Sequence, residues 1–266
     1  MQAFDDIFVI LTYKNTDDLP ELLVSIKKVV KDYRIIIVNS FYNEKTVSVF
    51  QKIANDHNCD FISVENKGYG YGNNVGITYA REKYEFKRIV ISNPDIIIQE
   101  YDQKKLDNYS EGLLGGKIIN ARKQNQNPIR VYDWHFTNYS PYYRYIKHNE
   151  LLFAMSILFS KIQKVVWNVR RLGADQRTFA LHGSFLVLNR SVFDHIDNDL
   201  FDQNIFMNEE EIDIGKRMKS INIPLTYTNA ICVNHKEDGD IGKTSVNSAN
   251  MMKKSIQYVR EKWSGM

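Results

Sequence analysis

Four short apolar segments, separated by segments with helical spacing of leucine and isoleucine, constrain this chain more than any other feature. The apolar segments are Ile7–Leu11, Arg34–Val38, Asp60–Val64 and Arg88–Ser92. Runs of this length predict buried strands, and the residues between them predict helices. Strands that alternate with helices favour a mostly parallel sheet covered on both faces, with right-handed crossovers. The sequence therefore predicts an α/β fold.

The fourth predicted strand ends in a turn that presents a carboxylate. Pro94 has no N–H and restricts Asn93 to extended conformations, so the strand should not continue through it. Asp95 then lies at the carboxyl edge of the sheet, where open α/β sheets bind ligands. A carboxylate at this edge suits Mg²⁺ or Mn²⁺ shared with substrate phosphates. The alternative is a turn aspartate that only caps the next segment.

Composition narrows the class of protein. The chain has 266 residues and a formal net charge of +3, so a nucleic-acid-binding surface over the whole molecule is not expected. Its two cysteines, Cys59 and Cys232, have no metal-site spacing and suit a reducing compartment. The N-terminus lacks a signal-peptide pattern, and no apolar run reaches about 18 residues. We therefore expect a cytoplasmic protein, either soluble or peripheral at the inner face of the membrane.

Residues 141–172 differ from the rest of the chain because six basic residues and one acidic residue alternate there with apolar and aromatic side chains. This composition predicts a helical insertion. The segment could lie on an anionic membrane surface, or it could be a helical hairpin that packs on the domain. Both interpretations stay open at this point.

Three further segments carry helix signals. Glycines at 68, 70, 72 and 76 precede or enter a predicted helix and could bring backbone N–H groups close to a phosphate, although a plain flexible loop is the simpler alternative. Residues 99–112 are polar and predict a surface helix. Glu209–Lys219 has acids in its first turn and bases in its last, which suits the helix dipole.

Taken together, these segments resemble the family 2 glycosyltransferases, which invert the anomeric carbon and have the GT-A fold, a Rossmann-like nucleotide-binding sheet. Bacterial rhamnosyltransferase-like members that build surface polysaccharides are the most similar. The matching segments are Val9–Asn15, Ile37–Ser40, Asn66–Gly76, Ser92–Asp95, His182–Ser184, Phe206–Asp213 with Arg217, and His235. The resemblance implies a single domain over 1–266, divided into a nucleotide-sugar half at 1–98, an acceptor half at 99–240 with the insertion at 141–172, and a C-terminal helix at 241–266.

The resemblance also implies a donor site for a nucleotide sugar, with dTDP or UDP as the nucleotide. Asn39 stands where the family usually has an aspartate, and Asn93-Pro94-Asp95 stands where it has Asp-x-Asp. Asp95 and His235 would hold the Mg²⁺ or Mn²⁺ ion. The implied donor-binding residues are Thr12, Tyr13, Asn39, Asn66, Gly70, Asn73, Asn74, Asn93 and Asp95.

On the acceptor side, the resemblance makes Glu211 the general base, with Glu210 as the alternate. The acceptor would be a saccharide or a lipid-linked saccharide, and the residues implied beside it are His182, Gly183, Ser184 and Asp213. Two other functions stay open. A nucleotidyltransferase would need a basic glycine loop after the first strand, where this chain has Thr12–Asn15. A degenerate nucleotide- or carbohydrate-binding module would bind ligand without turnover.

Overall fold

The alternation of strands and helices in the first half of the chain is confirmed by the computed structural model, which describes residues 1–196, 199–237 and 246–264. Strands β1 and β4 begin before their apolar runs, because polar residues continue the extended backbone toward the sheet edge. The elements are β1 (Gln2–Thr12), α1 (Asp18–Val29), β2 (Tyr33–Ser40), α2 (Glu44–Asp56), β3 (Asp60–Val64), α3 (Tyr69–Lys83) and β4 (Tyr84–Ser92).

The second half is more irregular. Its strands are β5 (Ile96–Tyr101), β6 (Leu113–Asn120), β7 (Gln176–Thr178), β8 (Phe185–Asn189) and β9 (Leu225–His235). Its helices are α4 (Gln103–Leu106), α5 (His135–Asn138), α6 (Ser140–Tyr145), α7 (Glu150–Arg171), α8 (Glu210–Ser220) and α9 (Val246–Lys262), with a 3₁₀ turn at Arg190–Asp194.

The segments predicted as helices have different outcomes. The surface helix predicted at 99–112 is wrong over most of its length: β5 runs to Tyr101, because Ile96, Ile98 and Tyr101 are buried, and only α4 is helical. The helical insertion at 141–172 is α6 and α7. The C-terminal helix is α9, and the predicted residues 241–245 and 265–266 lie outside the described residues.

The strand order is β3-β2-β1-β4-β8-β6-β9-β5, and β7 pairs with β9. β1 to β4, β6 and β9 run in one direction, whereas β5, β7 and β8 run in the other. The sheet is therefore mostly parallel, as predicted. One edge collects the carboxyl ends of the parallel strands, and it also collects the segments that lead into β5 and β8.

Both faces of the sheet are buried, which explains the continuous apolar runs of its central strands. One core lies under α1 and α2 and includes Phe8, Leu22 and Phe50. The other lies under α3 and α8 and includes Ile77 and Met218. Successive strand residues alternate between these two cores, so the sheet is a rigid platform whose polar edge can hold a site.

Candidate active site

Asp95 and His235 meet at the polar edge of the sheet. Asp95 precedes β5 and His235 ends β9, and the antiparallel register pairs Ile96 with His235. The His235 Nε2 atom lies 3.3 Å from the Asp95 Oδ2 atom, and both side chains are buried. The backbone N–H of Lys236 donates to the Asp95 carbonyl at 3.0 Å, which fixes the two segments to each other.

The hydrogen on the His235 ring is fixed by Gln126. The Gln126 amide nitrogen donates to Glu237 at 2.7 Å, so its oxygen faces His235 Nδ1 at 2.8 Å. Because an amide oxygen can only accept, Nδ1 carries a hydrogen, and Nε2 is the ring nitrogen that faces the Asp95 carboxylate. An imidazole nitrogen and a carboxylate that face each other can bind a divalent cation between them, and the Gln126 contact orients the ring as outer partners of metal ligands do.

Asp95 and His235 fit a metal site whose other ligands come from the substrate. Within residues 1–196, 199–237 and 246–264, no group of three or more His, Cys, Asp or Glu side chains forms a complete metal site. Asp95 and His235 could thus supply two protein ligands, and substrate oxygens and water would supply the rest. Mg²⁺ in particular is commonly held by few protein ligands together with substrate phosphates.

The turn at His182–Ser184 joins the end of β4 to the start of α8. The backbone N–H of Asn93 donates to the Ser184 carbonyl at 2.9 Å, and the Tyr69 hydroxyl donates to the Gly183 carbonyl at 2.8 Å. On its other side, the Gly183 N–H donates to Glu211 Oε1 at 3.2 Å. A Cβ at position 183 would lie 3.2 Å from that same oxygen, so glycine allows this close approach.

The neutral His182 ring accepts a hydrogen bond within this turn and keeps its other nitrogen as a donor. The Ser184 N–H donates to its Nδ1 at 3.1 Å, so the ring hydrogen is on Nε2. Burial lowers the pKa of His182, which keeps the ring uncharged. Its ring packs edge-on against the His235 ring, with 5.6 Å between centroids. The three residues of the turn therefore lie between the Asp95 side and the Glu211 side of the site.

Three consecutive glutamates at the start of α8 have different environments. Burial, with a further contribution from the Glu211 charge, raises the pKa of Glu209 to about 8. Burial and the Glu211 charge also raise the pKa of Glu210 well above its usual range. Both are mainly protonated at neutral pH. Glu211 is only partly buried and contacts the 182–184 turn, so it is the better placed base of the two residues that the sequence offered.

Asp213 has a structural role. Its carboxylate is almost fully buried and accepts hydrogen bonds from Lys262 Nζ at 2.6 Å and Trp263 Nε1 at 2.9 Å. These contacts fasten α9 to α8. Both contacts use Oδ1, and the acceptor-side role of Asp213 stays a prediction.

The predicted base-binding residues lie at the carboxyl ends of β1 and β2. Thr12 pairs in register with Asn39, and Asn39 pairs with Ser63 on β3. The Asn39 amide nitrogen donates to the Ser63 hydroxyl at 3.0 Å, whereas its buried Oδ1 accepts no hydrogen bond from the described residues. This oxygen is an acceptor without a donor.

An aromatic pair stands beside these strand ends. The rings of Tyr13 and Tyr42 meet edge-to-face at 5.5 Å, and the Lys14 ammonium lies over both. Tyr42 is about half exposed. Neither Tyr42 nor Ser63 was singled out from the sequence, because no local pattern distinguishes them from other surface residues. Together with Tyr13 they offer ring faces and polar atoms to a flat ligand.

The glycine-rich segment packs closely against its neighbours. Gly70, Gly72 and Gly76 lie inside α3, and a Cβ on them would come within 2.7, 2.4 and 2.3 Å of the side chains of Phe201, Leu11 and Val9. They let the helix pack closely on the sheet and on the segment at 201. Close packing therefore explains why these positions are glycine, and the donor-binding role of Gly70 stays a prediction.

The asparagines of this segment also have internal partners. Asn74 exchanges two hydrogen bonds with the backbone of Phe201, at 2.8 and 3.0 Å, so both polar groups of its side chain are paired within the protein. Asn66 accepts from the Gly68 N–H at 3.3 Å at the start of the helix. Asn73 donates to the Tyr69 carbonyl, but its buried Oδ1 accepts no hydrogen bond from the described residues.

Two cations of this region were missed by sequence reasoning: Arg130 lies near Glu211, and Lys164 lies near His182. Arg130 donates to the carbonyls of Thr137 and Ile129, each at 2.9 Å, and burial lowers its pKa against the opposing effect of nearby Glu209 and Glu211. Lys164, on α7, donates to the Asn125 carbonyl at 2.9 Å.

Lys164 is unusual among the lysines of the chain. Burial and the neighbouring Arg130 charge lower its pKa to about 8. Neither cation forms a salt bridge within the described residues. Two half-buried cations without paired carboxylates can bind an anion. Only the fold brings 130 and 164 together, so no sequence signal could have found the pair.

Comparison with known proteins gives a family and two relatives for the sequence. The sequence profile described as Glycosyl transferase family 2 matches residues 7–197, which is more than half of the chain. The low-salt glycan biosynthesis hexosyltransferase Agl10 of Haloferax volcanii is 26% identical over 237 residues, which are 89% of this chain and 69% of the relative. The rhamnosyltransferase WbbL of Escherichia coli K12 is 24% identical over 232 residues, or 85% of this chain and 81% of the relative.

Solved structures show the same fold. The crystal structure of GalNAc-T7 with UDP, GalNAc and Mn²⁺ superposes with a TM-score of 0.65 at 12% identity. The superposition covers 98% of this chain and 48% of the GalNAc-T7 chain, so this protein spans about half of that structure. At this identity the likeness speaks for the fold.

Proposed function

The chain belongs to glycosyl transferase family 2, and on that premise we propose how this glycosyltransferase acts. It binds a nucleotide-diphosphate sugar beside Asp95 and His235, and a saccharide or lipid-linked saccharide acceptor beside Glu211. The sugar is transferred with inversion. One observation carries the proposal. The 182–184 turn has Asp95 and His235, which can bind a metal, on one side and the accessible carboxylate of Glu211 on the other.

This arrangement suits a single displacement. Glu211 takes the proton of the acceptor hydroxyl as that oxygen attacks the anomeric carbon, and the bond to the diphosphate breaks on the opposite face. A divalent cation held by Asp95 and His235 would neutralise charge on the departing diphosphate. The His182 Nε2–H is a donor that can orient the reacting sugar.

The protonated state of Glu209 and Glu210 supports Glu211 as the base. Because both neighbours are neutral at neutral pH, neither places a like charge beside Glu211. The partial positive charge of the helix N-terminus favours a carboxylate in this first turn. Glu209 has a left-handed backbone with φ of 75°, a strained conformation of the kind that occurs at functional sites.

The identity of the base is inferred from Asn39. Its free Oδ1 is an acceptor, which matches the ring N–H of uracil or thymine in the proposed UDP or dTDP donor; guanine also carries a ring N–H, whereas the cytosine ring does not. Tyr13 and Tyr42 would pack against the flat base. We further infer a cytoplasmic site of action, because Cys59 and Cys232 are both free thiols.

A thermal-shift experiment tests the proposed donor class. UDP, dTDP, GDP and CDP are added with and without Mn²⁺, and we expect a metal-dependent rise in Tm with UDP or dTDP. Ligand at 100 times its Kd stabilises the folded state by about 2.7 kcal/mol. No shift with any nucleotide would contradict the proposal. A shift without transfer to any acceptor would favour a degenerate binding module.

The Arg130 and Lys164 pair is proposed to bind a phosphate, either of the donor or of a lipid-linked acceptor. Lys164→Met should lower kcat/KM about tenfold, because a hydrogen bond to a charged group contributes roughly 1.5–3 kcal/mol. The Lys164 side chain carries a positive charge below about pH 8 and loses it above that pH. The wild-type KM should therefore rise with pH through about 8, and the variant should lack this rise.

Separate KM measurements identify the source of the phosphate. A higher KM for the donor alone would indicate the diphosphate, and a higher KM for the acceptor alone would indicate the acceptor phosphate. Lys104→Met is the matched control, because Lys104 is an exposed lysine on a different helix, α4. Unchanged values for both substrates in Lys164→Met would remove the pair from the site.

A further inference from the structure

Helix α7 exposes a row of apolar side chains on the face opposite its buried residues. Ser156, Gln163 and Trp167 form its buried face. On the other side, six apolar side chains are 41–71% exposed, and none belongs to a hydrophobic core of the described residues. We call them the α7 stripe: Leu151, Met155, Leu158, Ile162, Val165 and Val169.

The stripe is continuous. Its members are spaced alternately by four and three residues, so they lie on one side of the helix over its whole length. Phe159 and Val166 are also exposed and widen it on one flank. A contiguous surface of eight large apolar side chains is more than a soluble monomer usually exposes, and such surfaces mark interaction sites.

The charges around the stripe are positive. Lys161 and Arg170 lie at its two borders, and Arg144 and Lys147 are exposed just before α7. From 141 to 172 the only acidic residue is Glu150. A helix with an apolar face flanked by basic residues complements the acyl boundary and headgroups of an anionic membrane. Among the helices that the structure describes, none is long and apolar enough to cross a bilayer.

A second copy of the chain fits this face less well. The alternating spacing also occurs in coiled coils, and an antiparallel pair of α7 helices would centre between Leu158 and Ile162. That pairing would bring Lys161 close to its own copy, so like charges would face each other at the middle of the interface. Phe159 and Val166 also make the apolar face wider than the narrow seam of two helices.

We propose that α7 lies in the plane of an anionic membrane surface, with the α7 stripe inserted among the lipids. Lys164, on the side of α7 away from the stripe, donates to the Asn125 carbonyl at 2.9 Å, and its charge acts on His182 of the 182–184 turn. Membrane-bound α7 therefore holds the active site next to the lipid surface. The lipid contact stands on the stripe alone, whereas delivery of a lipid-linked acceptor rests on the proposed function.

Vesicle co-sedimentation tests this proposal, in the absence of any nucleotide. The protein is mixed with phosphatidylcholine vesicles that contain either no phosphatidylglycerol or about one third of it. We expect binding to the anionic vesicles at low salt, with a loss at 1 M salt, where charges are screened within about 3 Å. Leu158→Ser with Ile162→Ser should weaken binding at least tenfold, and Lys161→Glu should weaken it severalfold.

Val24→Ser is the matched control, because Val24 is 61% exposed on α1 and lies outside the stripe. It should bind vesicles as the wild type does. Wild-type protein that stays in solution at low salt would overturn the proposal. So would a dimer in light scattering that the stripe variant dissociates, without vesicle binding. Nucleotide thermal shifts of the same variants separate this result from the proposed function, since they should equal those of the wild type.

Discussion

Glu211→Gln is expected to lower kcat by about 10² to 10⁴ while nucleotide binding stays close to that of the wild type. The amide cannot take the acceptor proton, yet its oxygen can still accept the Gly183 N–H, so the 182–184 turn should keep its geometry. Initial rates at saturating donor give the loss of kcat. Thermal shift with the nucleotide shows whether the donor site remains.

Glu210→Gln is the matched control for this prediction. Glu210 is buried and its pKa is raised well above the usual range, so the neutral amide resembles the group already present. Its activity should stay within a few-fold of the wild type. If Glu210→Gln loses activity and Glu211→Gln keeps it, the two roles are reversed. If both keep the wild-type rate, the base lies elsewhere.

Asp95→Asn is the second large effect that we expect. The amide keeps the size of the carboxylate but removes its charge, so metal-dependent nucleotide binding should be lost and the transfer rate should fall by roughly 10² to 10³, as when one group that stabilises developing charge is removed. The Mn²⁺-dependent part of the nucleotide thermal shift is the direct readout. The metal-independent part, due to contacts with the base, should remain.

Two further variants sharpen this experiment. His235→Gln should reproduce the loss of metal dependence, because it removes the second ligand opposite Asp95. Asp102→Asn removes a carboxylate that caps α4 through the N–H of Lys105, a function that asparagine can replace, so it should behave as the wild type. A full Mn²⁺-dependent shift in Asp95→Asn would show that the metal binds without this carboxylate.

Much of the first half of the fold could be predicted because it is written in local patterns. The runs Ile7–Leu11 and Asp60–Val64 have strand length, and the residues around Leu19 and Leu22 have helical spacing. Each pattern reports the burial of one element, and burial on one or two faces is a local property of the sequence. The family motifs added the family, and the structural comparison confirms its fold.

The prediction of a helix at 99–112 failed because it too relied on the local pattern alone. Burial at Ile96 and Ile98 resumes at Tyr101 after a register shift between Ile98 and Glu100, so β5 extends into the segment predicted as a helix. The glycines of α3 show a related limit: sequence reports that a side chain is missing, but not whether a ligand or a neighbouring side chain fills the space.

By itself, the sequence determined the α/β class, the position of Asp95 at a strand end and the two candidate general bases, Glu210 and Glu211. Only the tertiary structure decided which groups share the site. Because β5 and β8 run against the parallel strands, Asp95 and the 182–184 turn reach the same edge as His235. Gln126, Arg130 and Lys164 join them from segments without a local signal. Strand order and direction depend on partners far apart in the chain, and local patterns do not encode them.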